Sequence, residues 1–349
     1  FEGRCKMIDS SEISVVMQGL VYPEITQQCI EAMRRVLPHA EIILSTWKDA
    51  NLEGVAVDKV VLNDDPGSRP LLLESERQNN MLRMIVSTQN GIKAATRKYC
   101  LRYRTDLEIK HDKFLAHFGK FPQRSEKWKI LKERVLVNYA THPMQRCFHP
   151  TDITGFGLTE DLLKIWDIPL PSEEDLHYFL HHPLPLYFQC PPADKLVPRI
   201  GAEIWVWSSF LKKYEDKFGT IDFRHNWDGT PENIELTELT IANNLHILPR
   251  DDFDFTPLAH PYLLGEMARY TWIDEKLWYY YVQKHCMPAI PLWDWRYYVY
   301  FPLMLLRYQC KYNPILHDGL RSLRKLRFKR AFDTFKRLNY RYILETHPE

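Results

Sequence analysis

Four charged residues alternate along the short segment Lys98–Ile109. Arg102, Arg104, Asp106 and Glu108 follow an apolar start at every second position. Successive side chains of a β-strand point to opposite faces of a sheet, so this spacing predicts a strand with two guanidinium groups and two carboxylates on one face. Such a set at the end of a strand can hold a ligand that carries phosphate groups.

The chemistry that these residue types support is the binding of a diphosphate together with a divalent cation. Asp106 and Glu108 are candidate ligands of Mg²⁺ or Mn²⁺, because Mg²⁺ typically takes one or two protein carboxylates besides water and phosphate oxygens. Arg102 and Arg104 are candidate phosphate ligands, since a guanidinium group donates forked hydrogen bonds to phosphate. Metal and arginine together would neutralise a diphosphate leaving group. The alternative is a pair of salt bridges on an edge strand, which the local residues alone slightly favour.

The composition is that of a globular protein without a strong overall charge. The 349 residues include 46 Lys and Arg against 45 Asp and Glu, and a net charge of +1 gives no field that favours nucleic acid. The seven cysteines are scattered without a CxxC pair, which argues against a disulfide framework and a structural zinc site and favours a reducing compartment. No apolar run is long enough to predict a membrane span.

Segments of strand character alternate with segments of helix character over the first 110 residues. Strands joined by helical crossovers form parallel sheets, so this order predicts an α/β fold with a largely parallel sheet. Ligands of such sheets bind beyond the carboxyl ends of the strands, where residues 104–108 are expected. The predicted strands are 14–18, 41–47, 58–63 and 98–109, and the predicted helices are 25–37 and 79–95.

The rest of the chain is less regular and ends in a basic segment. A strand is predicted at 134–139, helices at 159–166 and 202–214, and a loop-like stretch at 167–200. Residues 320–343 repeat apolar residues at helical spacing among many Lys and Arg residues. This pattern predicts a basic amphipathic helix that binds an anionic membrane surface, with a terminal helix docked on the core as an equally weighted alternative.

The order of these segments resembles the WavE lipopolysaccharide-synthesis family of bacterial surface-polysaccharide proteins. The resemblance covers roughly residues 12 to 250. It is carried by the runs SVVMQGLVYPEITQQCIEAMRRVLPHAEIILSTWKD, KVVLNDDPG, NNMLRMIVSTQNGIKAAT and KYCLRYRTDLEI, and it continues in CFHPTDITGFGLTEDLLKIWDIP, GAEIWVWSSFLKK and ELTIANNLHIL. It implies a glycosyltransferase of the GT-A type in residues 1–250, a nucleotide-binding α/β sandwich with a metal motif after its fourth strand. A helical, aromatic-rich C-terminal extension is expected in residues 251–349.

The resemblance also implies which residues lie near a nucleotide-sugar donor. Arg104, Thr105 and Asp106 stand where similar proteins carry Asp-x-Asp. Because Arg104 replaces the first acid, the cation site is expected to be weaker, with arginine performing part of the role of Mn²⁺ or Mg²⁺. Each of the polar residues has an alternative role as a helix cap or turn former. The donor-binding candidates are Gln18, Gly19, Thr46, Asn79, Asn90, Arg102 and Arg104.

An inverting sugar transfer needs a base that takes the proton of the acceptor hydroxyl group. Glu203 is one candidate, at the start of a tryptophan-lined helix where GT-A enzymes often carry an acid. Asp152 is another, in a glycine-bearing loop that could surround the donor sugar. Glu160 and Asp161 are weaker candidates, since helix starts favour acids for structural reasons. A retaining mechanism without such a base also remains open.

Three functions compete at this stage. The first is a cytoplasmic sugar transferase, peripheral on the inner membrane face, that transfers a nucleotide-activated sugar to a lipopolysaccharide, capsule or other glycan or glycolipid acceptor. The second is a nucleotidyl or phosphoryl transferase, for which no phosphate-loop or dinucleotide motif is present. The third is a non-catalytic protein that binds carbohydrate through its tryptophans. Nucleic acid is not an expected partner.

Overall fold

The fold is described by a computed structural model for residues 8–72, 76–139, 147–182, 197–221, 230–260 and 273–287. The predicted basic helix at 320–343 and most of the predicted extension 251–349 lie outside these residues. Among the helices that the structure describes, none combines the length and the apolar character that crossing a membrane requires.

Eleven strands and nine α-helices are formed by the described residues. The strands are β1 (Ile13–Gln18), β2 (Glu41–Trp47), β3 (Lys59–Asn63), β4 (Arg69–Pro70), β5 (Gln78–Asn79), β6 (Tyr99–Arg104), β7 (Leu107–Ile109), β8 (Val135–Val137), β9 (Gly155–Leu158), β10 (Leu245–Ile247) and β11 (Phe255–Pro257). The helices are α1 (Pro23–Val36), α2 (Met81–Lys93), α3 (Thr159–Trp166), α4 (Glu173–Leu176), α5 (Tyr178–His181), α6 (Ala202–Lys212), α7 (Glu215–Phe218), α8 (Pro231–Asn244) and α9 (Glu275–Cys286).

A seven-stranded sheet forms the centre of the fold, in the order β10-β8-β9-β6-β1-β2-β3. Within this sheet β9 runs antiparallel to β6 and β8, and the other described pairs are parallel. The crossover helices α1 and α2 explain the parallel pairing, because a parallel connection needs a segment that returns along the sheet. This arrangement confirms the predicted α/β class with a mostly parallel sheet and agrees with the predicted GT-A-like sandwich.

Helices cover both faces of the sheet. Val15 and Met17 of β1 point into a core with Met33 of α1. On the other face α2 packs on β1 and β2, and it comes so close at Gly91 that a Cβ atom there would lie 2.4 Å from Cγ1 of Val16. Strands covered on both faces are nearly continuously apolar, as the sequence of β1 is.

The predicted strand 98–109 is wrong in one respect, because it is two strands. β6 ends at Arg104, and Thr105 and Asp106 form a turn before β7. The amide of Thr105 donates to the Gln18 carbonyl at 3.3 Å and its hydroxyl donates to the Leu20 carbonyl at 2.5 Å. β7 then pairs with β11 in a separate two-stranded sheet. The expected alternation of all four charged residues on one face therefore stops at Arg104.

The chain divides into two compact units. The larger one contains the seven-stranded sheet and its helices, and the smaller one includes Pro70–Gln78 and Glu173–Arg199. The smaller unit contains α4 and α5, so the stretch predicted to be loop-like includes two short helices. Within it, Arg199 and Asp175 form an ion pair at 2.5 Å.

Candidate active site at the carboxyl edge of the sheet

The carboxyl ends of β1 and β6 flank the point where the strand order reverses. From β1 the chain proceeds to β2 and β3 on one side, and β6 then pairs with β1 on the other side. Gly19, directly after β1, has φ 126°, a value that L side chains rarely adopt. A Cβ atom on Gly19 would lie 3.4 Å from the Thr105 hydroxyl, so the loop after β1 lies against the turn after β6. Such switch points are the usual ligand-binding edge of open α/β sheets.

Polar side chains on the α2 side of this edge bond to one another. Ser87 of α2 donates to Oε1 of Gln18 at 2.8 Å. Asn90 of α2 donates to Oδ1 of Asn63 at 2.7 Å, and Asn63 donates to Oγ of Ser45 at 3.1 Å. These bonds fix α2 over the strand ends. Gln18 and Asn90 thus have structural partners, and their predicted contact with a donor stays a prediction.

Asn79 and Thr46, two further donor-binding candidates, differ in their surroundings. Oδ1 of Asn79 accepts a hydrogen bond from the Met81 amide at 3.0 Å, so Asn79 performs the turn-forming role named as its alternative. Thr46 is fully buried, and its hydroxyl has no hydrogen-bond partner among the described residues. An unsatisfied buried hydroxyl group is uncommon in folded proteins.

Arg104 and Asp106 form a two-pronged ion pair. Nε and Nη2 of Arg104 donate to the two oxygens of Asp106 at 2.9 and 2.8 Å. The Asp106 side chain is 4% exposed, whereas that of Arg104 is 30% exposed. The salt bridge named as the alternative to a cation site therefore describes this pair as it stands.

Glu108 does not share this position. Its carboxylate pairs with Lys110, which holds the pKa of Glu108 below its usual value. Asp106 and Glu108 belong to no group of three potential metal ligands within the described ranges. The two acids are thus not brought to one cation, because the turn at Thr105 and Asp106 ends the alternation on which that prediction depended. Cation binding at Asp106 alone stays a prediction.

The two predicted catalytic acids line one pocket, although 51 residues separate them in the sequence. Asp152, in the loop before β9, and Glu203, in the first turn of α6, line it together with Arg102 of β6. Trp166, at the end of α3, and Trp207 close its walls. The enclosed part of the pocket measures about 30 Å³, and the pocket is partly open to solvent.

Arg102 is a buried cation in the wall of this pocket. It is 1% exposed, and its guanidinium carbon lies 4.5 Å from the ring centroid of Trp166. Nε donates to the hydroxyl of Thr88 at 3.3 Å, while Nη1 has no partner among the described residues. Burial lowers the pKa of Arg102 to about 10, so the group stays charged at neutral pH. A buried guanidinium with an unmatched donor attracts an anionic group into the pocket.

Asp152 is the acid whose protonation is most altered by this environment. Burial is the main cause that raises the pKa of Asp152 to about 6, and the negative charge of Glu203 raises it further. The positive charges of Arg102, Arg104 and His149 act in the opposite direction. Nε2 of His149, a buried residue, lies 3.7 Å from the Glu203 carboxylate. An Asp152 carboxyl with raised proton affinity is suited to general acid–base chemistry near neutral pH.

Some residues that position the site escaped the sequence reasoning. Oδ1 of Asn138, directly after β8, accepts from the hydroxyl groups of Thr154 at 2.9 Å and Thr151 at 3.4 Å. These bonds fix the loop that carries Asp152. The position of Asn138 at the end of an apolar strand is a weak indication of this role, because polar residues are common at strand ends. From the sequence, the polar loop residues Tyr139, His142 and His149 are also expected near the acceptor, which stays a prediction, and His142 lies outside the described residues.

The comparisons with known proteins place this site in a family. No curated protein matches the sequence. The family model for WavE lipopolysaccharide synthesis matches residues 13–307, which include the whole candidate site and extend beyond the predicted catalytic domain. The match covers most of the chain. The chain therefore belongs to the WavE family of lipopolysaccharide-synthesis proteins.

Proposed function

We propose that this protein is a glycosyltransferase that moves a sugar from a nucleotide-sugar donor to a lipopolysaccharide or another surface-glycan acceptor. Its family assigns it to lipopolysaccharide synthesis, which is a biosynthetic role. The observation that carries the proposal is the Asp152–Glu203 pair beside Arg102, in a pocket at the carboxyl edge of a parallel sheet. An acid of raised proton affinity, Asp152, next to guanidinium groups matches the two needs of sugar transfer, proton removal and leaving-group stabilisation.

Arg104 is the residue proposed to meet the leaving diphosphate. It is more exposed than Arg102, and its guanidinium group already binds the two oxygens of a carboxylate, a geometry that phosphate oxygens share. A single Asp106 carboxylate held by Arg104 does not fit a tightly bound resident cation. We therefore propose that the guanidinium groups neutralise the charge of the leaving diphosphate. Measurements with and without Mn²⁺ or Mg²⁺ test whether a cation is also required.

Asp152 is proposed as the base, with Glu203 raising its proton affinity. As the acceptor oxygen bonds to the anomeric carbon, the bond from that carbon to the diphosphate oxygen breaks. The hydroxyl proton passes to the Asp152 carboxylate, and the diphosphate leaves towards Arg104 with the bonding electron pair. A base is most effective when its pKa lies near the working pH, and a value of about 6 is closer to neutrality than that of an ordinary Asp.

The burial of the two tryptophans that line the pocket argues against a non-catalytic carbohydrate-binding role. Trp207 is 1% exposed and Trp166 is 5% exposed, so their rings offer little surface for stacking on a sugar. The nucleotidyl or phosphoryl transfer alternative has no phosphate-loop motif to support it. Membrane contact through 320–343 remains a prediction from the sequence.

A donor screen tests the proposal. We expect one class among UDP-, GDP-, dTDP- and CMP-sugars to raise the Tm, with or without Mn²⁺, because a ligand that binds only the folded state stabilises it. Arg104→Gln should reduce this shift. Arg34→Gln, which breaks an Arg–Asp pair with Asp58 at 2.7 Å before β3, is the matched control and should retain it. If no nucleotide sugar changes the Tm, the proposed activity is wrong; an undiminished shift in Arg104→Gln means that the diphosphate binds elsewhere.

A further inference from the structure

Three potential metal ligands meet on the face of the sheet opposite the candidate active site. His117 ends the 3₁₀ turn Lys113–His117, His246 lies in β10, and Glu275 lies in the first turn of α9. One ligand atom from each lies within 4.8 Å of the other two. We propose that His117, His246 and Glu275 bind one zinc ion that fastens these three segments together.

His246 supplies the strongest indication. It is 1% exposed, and its ring stacks on Trp278 with centroids 4.2 Å apart. Neither ring nitrogen has a hydrogen-bond partner of good geometry among the described residues. A buried imidazole whose ring nitrogens make no well-aligned hydrogen bond leaves a lone pair for a metal ion.

His117 is oriented as metal-binding histidines usually are. Its Nε2 lies 2.8 Å from Oδ2 of Asp252, and its Nδ1 is buried without a partner among the described residues. If Nε2 carries the proton and donates to Asp252, the lone pair of Nδ1 is left for a cation. A carboxylate that holds the second nitrogen of a histidine ligand is the common outer arrangement of zinc sites.

Glu275 completes the set and belongs to a concentration of negative charge. The charged groups that act on Glu275 are the carboxylates of Asp252 and Asp274 and the ammonium groups of Lys120 and Lys276. Arg134, the other nearby cation, is occupied, because its guanidinium group donates to the backbone carbonyls of Ala242 and Gln123. A divalent ion would relieve the repulsion among these carboxylates.

The ligand chemistry indicates zinc, and the position away from the Asp152 pocket favours a structural role, although water as a fourth ligand is otherwise typical of catalytic zinc. Two imidazole nitrogens and one carboxylate oxygen form a set that Zn²⁺ favours, with water as the fourth ligand. Ligand atoms of tetrahedral zinc lie ~3.3 Å apart, so the cluster has to contract on binding, and the half-buried side chain of Glu275 has room to move. Leu245 lines the Asp152 pocket, and successive side chains of a strand point to opposite faces, so His246 points away from that pocket. The scattered cysteines argue only against zinc sites built from cysteine.

Zinc binding can be measured without any assay of activity. The full-length protein is stripped with a chelator, and bound zinc per chain and Tm are measured after adding Zn²⁺ or Mg²⁺. We expect one zinc per chain and a rise in Tm with Zn²⁺ but not with Mg²⁺. Glu275→Gln should weaken binding by roughly 100-fold, and Asp252→Asn by roughly 10- to 100-fold.

Two control variants test whether zinc binding depends on this site and not on carboxylates elsewhere in the protein. Glu24→Gln removes an exposed acid from the first turn of another long helix, α1, and should bind zinc as the wild type does. Asp106→Asn, at the proposed donor site, should also leave zinc binding unchanged, so that failure of the proposed function and failure of this site are distinguishable. Equal zinc affinity in the wild type and Glu275→Gln, or no bound zinc in the wild type, would overturn the proposal.

Discussion

Asp152 illustrates how the residue proposed as the base costs the protein stability. Its raised pKa means that the folded state binds a proton more tightly than the unfolded chain does. As the pH rises from about 4 to about 6, the unfolded chain loses this proton first, so the folded state becomes less stable relative to it. An acid in a salt bridge has the opposite effect, because its lowered pKa makes the folded state more stable as the pH rises. Such a penalty is a common signature of residues kept for chemistry.

Replacing Asp152 by Asn is therefore expected to stabilise the protein at neutral and alkaline pH. Relative to the wild type, the free energy of unfolding of Asp152→Asn should increase by about 1 kcal/mol between pH 5 and pH 8, because only the wild type has to ionise a half-buried carboxyl group of raised pKa. Urea unfolding at both pH values measures this difference. Asp216→Asn, at an exposed acid, should follow the wild type; a constant difference for Asp152→Asn would show that the acid is not perturbed in the folded state.

For individual residues, the sequence predicted which side chains could do chemistry better than it predicted which other side chains they contact. Asp152 and Glu203 were both candidate bases, but nothing local shows that they share a pocket. For Asp106 and Glu108, the pattern of alternation suggested a common cation, yet Thr105 and Asp106 are also residues that favour turns. From the sequence, His246 is either a metal ligand or a structural histidine, and its apolar neighbours favour the structural role. Its proximity to His117 depends on a fold that brings together residues distant in the chain.

Helix α2 shows how one small residue positions an entire element. Gly91 allows the helix to approach β1 and β2 closely enough for Ser87 and Asn90 to reach Gln18 and Asn63. The helix itself was predictable from its apolar periodicity, but this close approach was not, because a glycine within a helix gives no indication of what it faces. Long elements followed their periodic patterns, whereas strand ends such as Arg104 were set by tertiary hydrogen bonds.

Gly91→Ala should destabilise the protein despite the better helix propensity of alanine. The gain in propensity is about 1 kcal/mol, whereas overpacking typically costs about 1–3 kcal/mol. A Cβ atom 2.4 Å from the β-branched, fully buried Val16 should place the cost towards the upper end of that range. Urea denaturation measures the change, and Gly91→Ala combined with Val16→Ala should be less destabilised than the sum of the two single variants. Strict additivity would contradict the packing described for α2.

At the scale of the whole molecule, the sheet gathers residues from distant parts of the sequence. Gln18, Arg104, Asp152 and Glu203 come from four separate segments and lie at or near the carboxyl edge because β1, β6, β9 and α6 converge there. Segment order sufficed to predict the fold class and the family, since both depend on repeated local patterns. The composition of the pocket could not be read from one sequence, because it depends on long-range packing.

The most direct test is the rate of nucleoside diphosphate release from the best donor in the presence of a lipopolysaccharide acceptor, measured against pH. We expect the wild-type rate to rise with a midpoint near pH 6 as Asp152 loses its proton. Glu203→Gln should shift that midpoint to lower pH, since the charge of Glu203 raises the pKa of Asp152. Asp152→Asn should lower turnover by about 10²- to 10⁴-fold, while Asp216→Asn should not. Wild-type turnover in Asp152→Asn would contradict the account.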